Sequence, residues 1–365
     1  MHRLRILTLV CIVIASSIYV FNNSKKSTLP YVEEETTHKS WLLKNSNPIT
    51  AVEDTRAPDQ TFLTYPEWFL VHSPAEQANY FKNHTATTFP YMTHIDQIWD
   101  SYAIVSHTIE NNFEYNSDYH LMIKVIGVSA SAEYALKAWY ENIIGRVTDT
   151  SDSEPLTQED RFNYRFTQDY VDFIRTTPWY DFDFQSRLVQ LWSETNFFGP
   201  NFLRKLERKY ILTSELLVKI AYAKLIKLGT QTMYEEALLT TVVLVNTLPE
   251  EINTNSIKVL SRLNNGTVLL RVPRYAAFNP TVVGLAKKGI SFLEIAGNNS
   301  AILLTLLVNS TYNFNIDNTQ ILFEQPIPSQ ASKKRVAVIT TVPALSQTLL
   351  KIVDENLTIE HVYDY

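Results

Sequence analysis

The sequence predicts an α+β protein with three parts. These are an N-terminal anchor helix, a mainly α-helical domain, and a C-terminal ferredoxin-like α/β sandwich domain with extra strands. Three observations predict it. The 365 residues are enough for two hydrophobic cores. Apolar residues recur at helical spacing from residue 61 to about 240, and all six tryptophans lie at or before position 192. From about residue 256 the pattern changes to short β-branched runs separated by Asn, Gly and Pro. The division that follows is an anchor at 1–24, a polar tether at 25–60, a helical domain rich in Trp, Tyr and Phe at 61–248, and a ferredoxin-like domain at 256–365.

The N-terminus opens with the basic stub Met1 to Arg5, followed by an apolar run from Ile6 to Phe21 that Asn22 to Lys26 ends. The run is a little short of the roughly 20 residues that span a bilayer. Ala15-Ser16-Ser17 satisfies a small-residue cleavage rule, but the apolar run continues past it, which favours an uncleaved anchor. The expected location is the cytoplasmic membrane, single-pass, with the bulk of the chain outside the cytoplasm. Composition fits a globular protein: 45% hydrophobic and 19% charged residues. A net charge of −6 gives no overall attraction to nucleic acid. The single cysteine, Cys11, lies in the apolar run, so an intramolecular disulfide and a cysteine-based zinc site are excluded.

Ser73-Pro74-Ala75-Glu76 has the form of a capping box with proline at the first helical position, predicting a helix from Ser73 to about Asn83. Glu67 and His72 fall outside that helix. Further helices are expected over His94 to about Asn111, and over Leu121 to Ile144, which Gly145 stops. Four charges interrupt the second, which suits a buried helix better than a span. Thr157 opens another helix that Pro178 closes, and two more run over Asp183 to about Thr195 and Phe202 to Gly229. In the last third, Asn264-Asn265-Gly266 marks a hairpin. A helix begins at Asn279-Pro280 and ends at Gly289. Strands follow at Ile290 to Ala296, Ala301 to Val308, near Ile321 and Arg335 to Thr341. A helix at Pro343 to Asn356 leads to a last strand, Leu357 to Tyr363. The β-α-β, β-α-β order suggests the ferredoxin-like arrangement. No internal repeat is visible.

Candidate chemistry is sparse. Glycine-rich phosphate loops, the GxSxG elbow and the HExxH motif are absent from the sequence. The candidate catalytic residues are Glu67, His94, His107, His120 and Glu133, and His94, His107, Glu110 and His120 are candidate metal ligands. His107 and Glu110 share a helix face at i, i+3. No cofactor is predicted, and a divalent metal would need those four residues to converge. Asp169 and Asp172, one helical turn apart, read as partners for Arg165, Arg175 and Arg187 on a solvated face. The basic helix containing Arg204, Lys205, Arg208 and Lys209 reads as a solvated face or as a contact with anionic lipid.

Several phrases resemble an uncharacterised family of bacterial membrane-anchored proteins. They are PEWFLVHSPAE at 66–76, HIDQIWDSY at 94–102, YHLMIKVIGVSASAEYALKAWYE at 119–141, DYVDFIRTTPWYDFDF at 169–184, GPNFLRKLERKY at 199–210 and IEHVYDY at 359–365. The resemblance covers most of the chain after the tether. It implies a bacterial, membrane-associated protein and transfers no catalytic residue. Two function classes are expected. One is a non-enzymatic envelope protein for partner binding, sensing or assembly, held to the membrane through residues 6–21, with a protein partner or a second copy as its ligand. The other is an envelope enzyme using His and carboxylate groups of the helical domain.

Overall fold

The structure is a computed structural model, and it describes residues 39–42, 47–149, 156–230, 239–248 and 256–365. The chain is α+β. Six helices come first: α1 (Gln60–Phe81), α2 (Tyr91–Glu110), α3 (Ser117–Tyr140), α4 (Gln158–Ile174), α5 (Phe184–Glu194) and α6 (Phe202–Thr230). After α3 the chain runs on through a π-helical turn, Glu141–Gly145, into a last turn at Arg146–Thr148. Then come β1 (Thr240–Val245), β2 (Lys258–Arg262), β3 (Val268–Pro273), α7 (Phe278–Lys287), β4 (Phe292–Ile295), β5 (Ala301–Asn309), β6 (Gln320–Pro326), β7 (Lys333–Thr341), α8 (Val342–Asp354) and β8 (Thr358–Val362). The expected N-terminal anchor lies outside the described residues.

The strands form two antiparallel sheets, ordered β2-β3-β1-β4 and β6-β7-β5-β8. Each is built by the same path: a strand, a hairpin, a helix and a strand that returns beside the first. The correspondence reaches single residues. Val243 pairs with Leu270 as Leu304 pairs with Val338. Opposite those positions, register slips between Val259 and Ser261 in one hairpin and between Ile321 and Phe323 in the other. The last pair of each sheet slips too, skipping Leu293 in one and Glu360 in the other. Ala296 N–H donates to the Val242 carbonyl, and Tyr363 N–H to that of Leu303. Both helices end on a left-handed residue, Gly289 at φ 75° and Asn356 at φ 55°. Residues 240–362 therefore hold the same structural unit twice. Segments 285–295, LAKKGISFLEI, and 352–362, IVDENLTIEHV, match in apolar pattern without one identical pair, so the repeat is invisible to direct reading.

This path is not the ferredoxin-like one, which would put two helices on a single sheet. Here each sheet has its own helix, and α7 and α8 pack against each other within one core. That core joins Val243, Leu270 and Phe292 of the first sheet, Leu304, Val338 and Val362 of the second, and Phe278, Val282, Leu345 and Leu349 of the helices. The second sheet is buried on its other face too. Leu303, Phe323, Ala337, Ile339 and Tyr363 meet Phe62, Leu63, Tyr65 and Trp68 of α1, with Ile104 and Val105 of α2. Two-sided burial explains why β5 reads AILLTLLVN, an almost continuous apolar run.

Three sequence expectations change. Strand β1, which a boundary at 246–255 would leave with the helices, is a central strand of the first sheet. Residues 47–58, assigned to the tether by composition, are bound to that sheet: the Glu294 carboxylate accepts from Ile49 N–H at 2.9 Å and from Thr50 N–H at 3.0 Å, and Arg271 pairs with Asp54 at 3.1 Å. Finally, α1 begins at Gln60, so Ser73 and Glu76 lie in its middle and no capping box exists there. Burial of Phe62, Tyr65, Trp68 and Phe69 carries the helix through Pro66 and Pro74. Tertiary packing overrides the local start signal. The helix expected to open at Thr157 does so, with a capping box closed by Asp160.

Candidate functional site

The most concentrated polar chemistry lies where α1 crosses the second sheet. At its centre is Arg335 of β7, 1% exposed. Its guanidinium donates to Glu360 at 2.5 and 2.7 Å, to Glu76 at 2.9 Å and to the Gln325 side-chain oxygen at 3.0 Å. Tyr65 O–H donates to the same Gln325 oxygen at 3.1 Å. His72 lies 3.5 Å from Glu360 through Nδ1, and its Nε2 is 3.0 Å from the Tyr363 hydroxyl, which also meets Thr305. His361 stacks on Trp68 with ring centroids 3.5 Å apart.

Each residue is placed by a local feature. Glu360 is the bulge residue of β8, and its counterpart in the first sheet is Leu293. Bulges re-aim side chains, and here the second copy aims a carboxylate where the first keeps an apolar group. His72 and Glu76 stand one turn apart on α1 and face the sheet. From Glu76 the network runs on into the helices. Glu76 Oε2 is 3.5 Å from His94 Nε2, and neither atom has a hydrogen-bond partner among the described residues. His94 Nδ1 meets the Ser73 hydroxyl at 2.8 Å, and Ser73 meets the Tyr134 hydroxyl at 2.6 Å.

Proton affinities divide along this line. Burial pushes the Glu76 carboxyl up to about 7, and Arg335 only partly offsets it. Burial would raise Glu360 too, but two-pronged pairing with Arg335 overrides it and holds that carboxyl at about 2. Burial lowers His72 to about 4 and His94 to about 3.

The histidines and carboxylates singled out by sequence do not come together. His94 belongs to the seam. His107 is exposed and pairs with Glu110 at 2.8 Å. His120 meets the Tyr102 hydroxyl at 2.7 Å and stacks on Tyr115. Glu67 accepts from Tyr119 O–H at 2.7 Å, and Glu133 pairs with Lys219 and Lys137 at 3.1 and 3.0 Å. Among the described residues, three or more His, Cys, Asp or Glu side chains arranged to hold a metal do not occur. Arg187 pairs with Asp169 at 2.7 Å and Arg175 with Asp172 at 3.3 Å, as expected of a solvated face. A surface cavity of about 380 Å³ lies beside the first pair, lined by Phe166, Asp169, Arg187 and Glu194 among others.

The basic helix is a correction. Arg204, Lys205, Arg208 and Lys209 are buried, not solvated, so these side chains cannot be the ones that meet lipid. Arg204 pairs with Asp160 at 2.8 Å, and Arg208 with Glu141 at 2.8 Å and with Glu207. Lys209 donates to the Thr195 carbonyl at 2.8 Å, and Lys205 to that of Phe198 at 3.1 Å. The carboxylates of Glu141, Asp160 and Glu207 neutralise the arginines inside the helical layer.

Sequence reasoning missed Arg335, Glu360, Gln325 and Tyr363, and read Glu76 as a cap. One signal was available: an arginine within KKRVAVITT, a run otherwise suited to burial on both faces. No protein-family model, no curated protein and no solved structure matches the chain.

Proposed function

We propose that this chain is a membrane-anchored envelope protein with a binding role. In this reading the duplicated sheets are the rigid support, and the helical layer carries the working surface. The observation that carries it is the outward side of α3 and α6. Large apolar side chains stand exposed along both helices, with Trp139 at 61% and Leu203 at 70%. Many large apolar side chains left exposed on two neighbouring helices favour an interaction site. No helix among the described residues is long and apolar enough to cross a membrane. Attachment is therefore assigned to residues 6–21, which lie outside the described residues. A photo-crosslinking residue placed at position 139 or 217 of the full chain in cells should give adducts absent from a control at Lys258, on the exposed sheet edge. An adduct pattern equal to the control at both positions would overturn the binding reading.

One observation favours a second reading, an envelope enzyme. Glu76 and Glu360 share one guanidinium, yet burial raises one carboxyl to about 7 while pairing with Arg335 holds the other at about 2. That division is what acid–base chemistry uses. In this second reading the acid–base pair is Glu76 and Glu360, with His72 beside them, rather than the dispersed histidines. The enzyme reading expects Glu76→Gln to abolish function in cells at an unchanged unfolding temperature. The binding reading expects function to survive.

A further inference from the structure

Helices α3 and α6 lie side by side and antiparallel. Glu133 pairs with Lys219 at 3.1 Å, Lys137 with Glu215 at 2.9 Å and Glu141 with Arg208 at 2.8 Å, so position rises on one helix as it falls on the other. This line of ion pairs takes up every acidic residue between positions 121 and 147 and between 202 and 227: Glu133, Glu141, Glu207 and Glu215. What the helices turn outward is different. Val125, Trp139 and Ile143 of the α3 segment are exposed, as are Leu203, Tyr210 and Leu217 of α6. The exposed charges there are Lys124, Arg146 and Lys224, with Asp118 in the first turn of α3.

We propose that this outward face docks on an anionic lipid surface. The proposal rests on the reading of the helical layer as the binding part, and names its partner. Charge selects the occupant. The chain as a whole carries −6, yet the exposed cations of these two helices outnumber their exposed carboxylate, Asp118, with Glu133 partly shielded between Lys219 and Lys137. That is the complement of an anionic membrane. A second copy meeting this face with its own would set like charges against each other. Shape agrees: α6 runs 29 residues, roughly 44 Å at 1.5 Å per residue. Trp139 and Tyr210 stand among the exposed side chains of the two helices. Aromatic and aliphatic groups flanked by Lys and Arg are the chemistry of a helix lying in the headgroup region, where the apolar side enters the acyl boundary and the cations meet phosphates. Glu133, Glu141, Glu207 and Glu215 are held away from the phosphates by the ion-pair line.

The test uses the full chain with Cys11→Ser and one reporter cysteine, Ile143→Cys or Leu217→Cys, carrying an environment-sensitive dye. The expected result is a blue shift at both positions with vesicles of phosphatidylcholine mixed with phosphatidylglycerol. The shift should weaken with salt, be absent with pure phosphatidylcholine, and be absent from Lys258→Cys on the β2 edge. Combining Lys124→Glu, Arg146→Glu and Lys224→Glu should reduce partitioning by more than about tenfold, since each basic group near the surface adds to binding. A shift without lipid that rises with protein concentration would mean self-association and overturn the proposal. So would an equal shift with neutral vesicles, or none with anionic ones. Protein-only crosslinks at 139 and 217 with no lipid shift would sink the lipid partner and leave the binding reading standing. No crosslinks above control would remove that reading itself.

Discussion

Glu76 and Arg335 are 259 positions apart in the chain and 2.9 Å apart in the fold. One belongs to the helical layer and the other to the second sheet, so their ion pair is a latch between the two parts. The same guanidinium grips Glu360 on the neighbouring strand. Buried ion pairs add little net stability over apolar packing, because both charges lose their water. They do penalise arrangements in which a charge is stranded, and this fixes how α1 lies on the sheet.

That asymmetry gives the first prediction. Arg335→Met leaves Glu76 and Glu360 buried together without a counter-charge, and should cost about 3–5 kcal/mol in urea unfolding. Adding Glu76→Leu and Glu360→Leu should recover much of the loss. Equal destabilisation of the single and triple variants would mean that the seam acts through shape rather than charge.

The π-helical turn makes a second test. An added Cβ at Gly145 would stand 2.2 Å from Glu141 Oε2 and 3.3 Å from Arg208 Nη2. Gly145→Ala should destabilise by about 1–3 kcal/mol through overpacking. Gly284 is a control within α7, where nothing lies within 4 Å of the added carbon. Gly284→Ala should stabilise by about 0.5–1 kcal/mol, the ordinary helical gain. Thermal unfolding of the two variants should move in opposite directions.

Much of the architecture was legible because local chemistry decided it. Asn265-Gly266 makes its hairpin, Gly289 ends α7, and Thr157 with Asp160 caps α4. What was not legible depended on long-range contact. The structural repeat was hidden because Leu285 to Ile295 and Ile352 to Val362 keep pattern and bulge but no residue. The Ser73 signal was genuine as local chemistry, yet burial of Tyr65 and Trp68 on the sheet outweighed it. Arg204 and Arg208 looked like a surface because their carboxylate partners, Asp160 and Glu141, sit on other helices. Sequence placed only His94 of the seam among the site candidates, because Arg335 and Glu360 come from strands read there only for their apolar neighbours.

The position of Ser73 is itself testable. As a cap it would tolerate aspartate, which is among the best capping residues. Within α1 its hydroxyl lies between His94 and Tyr134, almost fully buried. Ser73→Asp should therefore cost at least about 3 kcal/mol by burying an unpaired charge, and Ser73→Ala about 1–3 kcal/mol for the partners left unsatisfied. A neutral Ser73→Asp in denaturant unfolding would contradict this placement.

The last prediction concerns pH, where the seam's groups oppose one another. His72 and His94 are lowered to about 4 and about 3 from an ordinary 6.5. Their stabilising contribution is present above 6.5 and is lost as pH falls, because the unfolded chain takes up protons that the folded one refuses. Glu360, held at about 2, acts in the same direction at lower pH and is lost on approach to that value. Glu76 runs the other way. Raised to about 7 from 4.5, it binds its proton in the folded state first, so its contribution is fully present below 4.5 and is lost as pH rises through 7. Arg335 holds Glu76 Oε1, which leaves Oε2 free for that proton, 3.5 Å from the unpartnered His94 Nε2. On acidification from pH 7 to 4.5, protonation of Glu76 therefore compensates part of what the histidines lose. Glu76→Gln keeps an oxygen for Arg335 and removes that titration. Its unfolding free energy should fall more steeply than the parent's between pH 7 and 4.5, and the two curves should run parallel below 4.5. Parallel curves across the whole range would mean that Glu76 titrates as an ordinary carboxylate, and would remove the asymmetry between the two carboxyls on which the acid–base reading depends.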